Sequence, residues 1–181
     1  MLIPKHTQWG FSLVELMIAI AILGIVLAMA VPSYRAFIQN SRIRAAAESI
    51  QNGLQVARAE AVKRNAQVQF IWGAGSSWTV GCVAVTANCP ATIQSRATGE
   101  GSSASIIVTS VPAASTTVVF NNFGAVSSPV ATTPTQFDVD VDAAVLPAAD
   151  SRELRITIGV GGNARMCDPN VSLPDPRACP V

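Results

Sequence analysis

Glu15 is a carboxylate inside an otherwise apolar run, and its chemistry needs a reason. Residues 11–31 number 21 and are interrupted only by Glu15, Ser12 and small residues. As a helix this run rises roughly 31 Å, about one hydrocarbon core. An ionised acid at that depth costs on the order of 2.5–3.5 kcal/mol, so it calls for a partner charge. None lies nearby in the chain. A cut between Gly10 and Phe11 would expose a new α-amine close to Glu15. In a bundle of copies, one chain's Glu15 could then answer the next chain's amine.

Other reactive side chains are few. Four cysteines form two local pairs, Cys82/Cys89 and Cys167/Cys179, in the part expected outside the membrane. Four cysteines allow three pairings, and an even count in an oxidising compartment argues for disulfides. Local pairing is expected, since each pair brackets a loop containing Pro or Asn. Zinc is disfavoured, because neither pair has the close two-residue spacing and the single histidine is His6. Asp138, Asp140 and Asp142 share one strand face. They read as the solvated face of an edge strand that discourages edge-to-edge pairing, rather than as a cation site. A nucleophile elbow and a phosphate-cradling glycine loop are both missing, so no catalytic residue, metal or cofactor is assigned and the chain is not read as an enzyme.

The elements that must carry these residues can be read from periodicity. Past Pro32, positions Ile43, Ala47, Ile50, Leu54, Ala57 and Ala61 recur in steps of four and three, one apolar stripe at helical spacing. Glu60 and Arg64 form an i,i+4 pair in the favourable order. Pro32 should kink the helix or locally melt it, and Gly53 should weaken it slightly. One helix over about residues 11–65 would extend roughly 80 Å. Strands are expected over residues 68–72, 78–85, 105–109 and 116–120, around Phe137, Val139 and Val141, over 154–160, and over 164–167. The fold class is therefore α+β, a long N-terminal helix whose first half spans a membrane and whose second half packs on an antiparallel β domain. The expected divisions are residues 1–10, 11–31, 32–66 and 67–181. Formal charge is +1 overall, but residues 67–181 carry five arginines against eight acids, a mildly acidic head. Ala28-Met29-Ala30 also fits a secretory cleavage site. Against that reading stand a leader with one lysine, an acid within the apolar run, and the length of that run.

The string Gly10-Phe11-Ser12-Leu13-Val14-Glu15, with Gly24 and Pro32 further along, closely resembles the class III signal of type IV pilins and type II secretion pseudopilins. The resemblance implies a prepilin peptidase that cuts after Gly10 and methylates Phe11. It also implies that Glu15 neutralises a neighbouring subunit's amine during assembly. The segment Leu54-Gln55-Val56-Ala57-Arg58-Ala59-Glu60-Ala61-Val62-Lys63-Arg64 is similar to a stretch of FimT- and FimU-like minor pilins and GspH-type minor pseudopilins, with Ala59 in place of serine. This narrower resemblance implies a minor pilin that helps start pilus assembly at or near the tip, or a minor pseudopilin of a type II secretion system. Its expected partners are other pilins or pseudopilins, the prepilin peptidase and the bacterial inner membrane, with the head in the periplasm before assembly into the pilus. One branch of the family binds DNA through a Gly-Arg-x-Arg stretch. The matching positions are Gly162-Asn163-Ala164-Arg165, where Asn163 replaces the first arginine. On that reading Arg165 and Arg177 are the residues that would contact DNA, against the repulsion of an acidic head.

Overall fold

The computed structural model describes residues 11–100, 102–127 and 132–179. Among the described residues helix α1 (Leu13–Arg64) precedes eight strands, and the chain divides into two compact units after Phe37. In the first unit Ser12 starts the helix. Its Oγ accepts the Glu15 N–H at 3.2 Å and its carbonyl accepts the Leu16 N–H at 3.1 Å. The side chains of residues 11–31 are all exposed, so this apolar surface finds no cover among the described residues. Length and composition allow it to cross a membrane. Helix runs on through Pro32 with no unwound stretch, so the local melting expected there does not occur.

The second unit folds the rest of α1 against two four-stranded antiparallel sheets. The expected stripe is buried throughout: Ile43, Ala47, Ile50, Leu54, Ala57 and Ala61. One sheet has the order β3-β2-β1-β5, from β1 (Val68–Trp72), β2 (Trp78–Cys82), β3 (Gln94–Arg96) and β5 (Thr117–Phe120). The other has the order β4-β6-β7-β8, from β4 (Ile106–Val111), β6 (Gln136–Val141), β7 (Leu154–Ile158) and β8 (Ala164–Cys167). Aromatic rings join the layers. Phe137 of β6 lies 6.1 Å from Phe70 and 5.8 Å from Trp72, between ring centroids. Trp78 is buried under the helix, where its indole N–H donates to Ser49 Oγ at 2.9 Å.

Gly53 has a packing role that helix propensity does not reveal. A Cβ there would sit 2.7 Å from Phe70 Cε2 and 2.9 Å from Trp78 Cδ2. Gly53→Ala gains about 1 kcal/mol of intrinsic helix propensity, but both rings are buried and have nowhere to retreat. Overpacking should win by about 1–2 kcal/mol. The expected result is a lower urea midpoint with an unchanged slope.

Further expectations need correction. The aspartate strand is not an edge strand, because β6 pairs with β4 on one side and β7 on the other. Alternation fixes which side chains share a face, whereas long-range pairing fixes a strand's neighbours. The aspartates are also engaged. Asp138 receives Arg155 Nε at 2.6 Å and Nη2 at 3.3 Å. Asp140 accepts the Ser151 hydroxyl, and Asp142 accepts the Ala144 N–H at 2.9 Å. The others concern strand ends: β2 stops at Cys82 rather than at residue 85, β4 runs over Ile106–Val111 rather than 105–109, and β7 ends at Ile158 and leaves Val160 exposed. The turn closes early, with the Gly162 N–H donating to the Gly159 carbonyl at 2.8 Å.

Candidate functional site

Glu15 stands in the first turn of α1, two residues beyond the first helical position, with an exposed side chain. A carboxylate there suits the positive end of the helix dipole, and the Ser12–Glu15 spacing is that of a capping box. Only half of the box is formed, the Glu15 N–H to Ser12 Oγ bond. The carboxylate therefore remains available to another group. Phe11 is exposed just before the helix, while Gly10 and the expected leader lie outside the described residues. Gly24 has open space around its α-carbon, with no atom within 4 Å of an added Cβ.

The segment from Leu54 to Arg64 fastens the helix end to the head. Leu54, Ala57 and Ala61 are buried, and Arg58 Nε donates to the Gly124 carbonyl at 3.1 Å. Glu60 sits between Lys63 at 3.1 Å and Arg64 at 2.6 Å. The hydrogen bond from Arg64 holds its carboxyl below the usual carboxylate range. Arg64 also donates to the Asn88 carbonyl, inside the loop closed by the Cys82–Cys89 disulfide. The charged face of this segment is thus a latch onto two loops.

The second disulfide, Cys167–Cys179, closes the C-terminal loop onto β8. It brings Arg165, on β8, and Arg177, in the loop, to one cavity of about 440 Å³. Arg44 and Arg152 line the same cavity, from α1 and from the segment before β7. Sequence reasoning missed these two. Positions 44, 152, 165 and 177 carry no local signal of convergence, which only the packing of helix, sheet and disulfide loop provides. Arg165 Nη2 donates to the Pro176 carbonyl at 3.2 Å. Arg177 grips Asp175 through its guanidinium and backbone N–H and holds that carboxyl down to about 2. Asn163 lies in the β7–β8 turn, where its carbonyl accepts the Gly159 N–H at 2.9 Å. Among the described residues no group of three His, Cys, Asp or Glu side chains could hold a metal ion.

Beside this cavity, burial pushes the Glu153 carboxyl above its ordinary range, and Asp138 and Asp140 add to the shift. An acid whose folded value is raised favours folding when protonated. It therefore weakens the fold above that value and stops doing so as pH falls through it. Glu153→Gln should accordingly raise stability at neutral pH by roughly half a kcal/mol. The gain should fade as pH drops from the raised value to the ordinary carboxylate one, in thermal melts followed across that range.

An exposed apolar helix of membrane length, with an acid in its first turn and a disulfide-bonded β head after it, defines a type IV pilin-like protein. The chain belongs to the family described as type II transport protein GspH, whose model matches residues 46–162. A second match, the prokaryotic N-terminal methylation motif, covers residues 7–31. Over 56 residues the chain is 46% identical to the type IV major fimbrial protein FimA of Dichelobacter nodosus, 31% of this chain and 34% of that protein. A fimbrial protein of the same organism matches equally, 46% identical over 56 residues. The chain thus spans about a third of the length of the curated relatives it matches, 34%. Among solved structures, the minor pilin FimU of Pseudomonas aeruginosa is similar at 17% identity, over 68% of this chain and 90% of that one, with a TM-score of 0.47. A second crystal form of FimU gives a TM-score of 0.46.

Proposed function

We propose that the chain is a minor pilin of a type IV pilus, made as a precursor, cut between Gly10 and Phe11 and methylated on Phe11. Residues 11–31 anchor it in the inner membrane with the head in the periplasm. Residues 32–66 carry the head on the second half of the helix, and residues 67–181 form that head. During assembly the apolar helix leaves lipid for a bundle of other pilins, where Glu15 meets a neighbour's amine. The role is structural, at or near the tip, where a minor subunit helps start the filament. The observation that carries this reading is one carboxylate, Glu15, in the first turn of an uncovered apolar helix.

Membership of the GspH family supports a second reading, a minor pseudopilin of a type II secretion system. Both readings share the same processing and assembly chemistry, and the neighbouring genes discriminate between them. Mass spectrometry of the chain from its producing bacterium tests what they share. A mature chain starting at methylated Phe11 is expected. A chain starting at Val31, or one retaining Met1, refutes both.

A further inference from the structure

The four arginines around the 440 Å³ cavity are not equally satisfied. Arg44 has Glu48 at 2.9 Å and Arg177 has Asp175 at 2.8 Å. Among the described residues, Arg152 and Arg165 have no carboxylate partner, and the Arg165 guanidinium donates only to a backbone carbonyl. All four arginines line the cavity and are exposed residues, so a solute that enters can reach them. Leu154, Met166 and Cys167 line the same space and add apolar surface to it. A concavity of this size lies within the usual range for bound groups, about 300–1,000 Å³. A guanidinium fork takes a carboxylate through two parallel hydrogen bonds.

We propose that this cavity is a socket for an acidic side chain, Asp or Glu, presented by a protruding loop of another subunit in the filament. This rests on the assembly reading above and adds the chemistry of one contact. The carboxylate is held by Arg152 and Arg165, and its aliphatic stem lies on Leu154 and Met166. Acids in and around the cavity favour a single compact anion over a polyanion. Asp168 lines the wall, Asp175 sits at Arg177, and Asp150 gives its carbonyl to Asn40 Nδ2 at 3.0 Å. A phosphate backbone carries a charge at every nucleotide, so these acids repel it more strongly than they repel one carboxylate. The geometry is fixed by the Cys167–Cys179 disulfide and by the Asp168 N–H bonded to the Arg177 carbonyl at 2.8 Å, which hold the loop against β8.

The test uses the full chain in its producing bacterium, with Pro176 replaced by the photo-crosslinking residue p-benzoylphenylalanine. Irradiation is expected to join it to another pilin-like subunit at a peptide containing Asp or Glu. Combining Arg152→Glu with Arg165→Glu should cut the yield at least tenfold while the mature N-terminus and protein level stay unchanged. Reversing the crosslinked acid to Arg in the partner should restore it. The proposal is overturned if the yield ignores the double reversal, or if processed chain sits in filaments with no subunit crosslinked. It is overturned equally if the purified full chain in detergent binds inorganic phosphate or a 20-base-pair DNA duplex saturably and the double reversal abolishes that binding. A chain that keeps its first ten residues and stays out of filaments refutes the assembly reading and this one with it, and its N-terminus tells that case apart.

Discussion

Glu15→Gln is expected to leave leader removal and membrane insertion intact while lowering incorporation into filaments by about 100-fold or more. The substitution separates two roles for one residue. Glu15 sits at capping-box spacing from Ser12, and the observed bond there uses its backbone N–H, which glutamine keeps. Glutamine can also complete the reciprocal half of such a box. What it lacks is negative charge. In lipid a neutral side chain costs less than an ionised one, so insertion should not suffer. In the filament the neighbour's amine would face an amide, and leaving a buried charge without its partner costs about 3–5 kcal/mol. That corresponds to two orders of magnitude or more in an equilibrium. Glu15→Asp should retain part of the function. Quantifying sheared filaments against the membrane pool provides the measurement. Wild-type incorporation of the Gln variant would reduce Glu15 to a helix-start residue and end the charge-pairing account.

The stripe Ile43 to Ala61 was legible because burial on one helix face forces a 3.6-residue period, and all six positions are buried. The bounds of β1 and β8 were legible for a related reason, since turn residues punctuate both ends. β3 was not legible. Gln94, Ser95 and Arg96 have no apolar alternation, and the strand exists because its backbone pairs with β2. The interior position of β6 was hidden too, because its neighbours β4 and β7 are set by pairing across distant sequence. The candidate sites divide in the same way. The residues proposed for processing and assembly, Gly10, Phe11 and Glu15, lie within one six-residue string, so that proposal can be read locally. The arginine cavity draws on positions 44, 152, 165 and 177, and nothing short of the folded head brings them together. Gly53 shows the limit of propensity scales, because the reason for glycine there lies in two rings contributed by other elements.

Gly162→Ala should be among the most destabilising single substitutions in the head, at about 3–5 kcal/mol, against a whole-domain stability on the order of 5–15 kcal/mol. Gly162 has φ of +79° and is buried. Left-handed backbone costs an L-residue about 1–2 kcal/mol. The added Cβ would lie 1.9 Å from the Gly124 carbonyl oxygen and 3.3 Å from Phe120 Cδ1, so backbone must move. That oxygen is also the acceptor for Arg58 Nε at 3.1 Å, and displacing it releases the latch from the helix to this loop. A hydrogen bond from a charged donor contributes about 1.5–3 kcal/mol. Gly161→Ala is the internal control. Its nearest contact would be Asn163 Oδ1 at 3.8 Å and its backbone is not left-handed, so its effect should stay within about 0.5 kcal/mol. Coupling gives the sharper check. Arg58→Met should destabilise the parent clearly but add little to Gly162→Ala, because the acceptor has already moved. Urea unfolding of the full chain in detergent, monitored by tryptophan fluorescence, measures the parent and all four variants. Additive losses would show that Arg58 and Gly162 act independently, and an unchanged midpoint for Gly162→Ala would show that the β7–β8 turn does not press on Gly124.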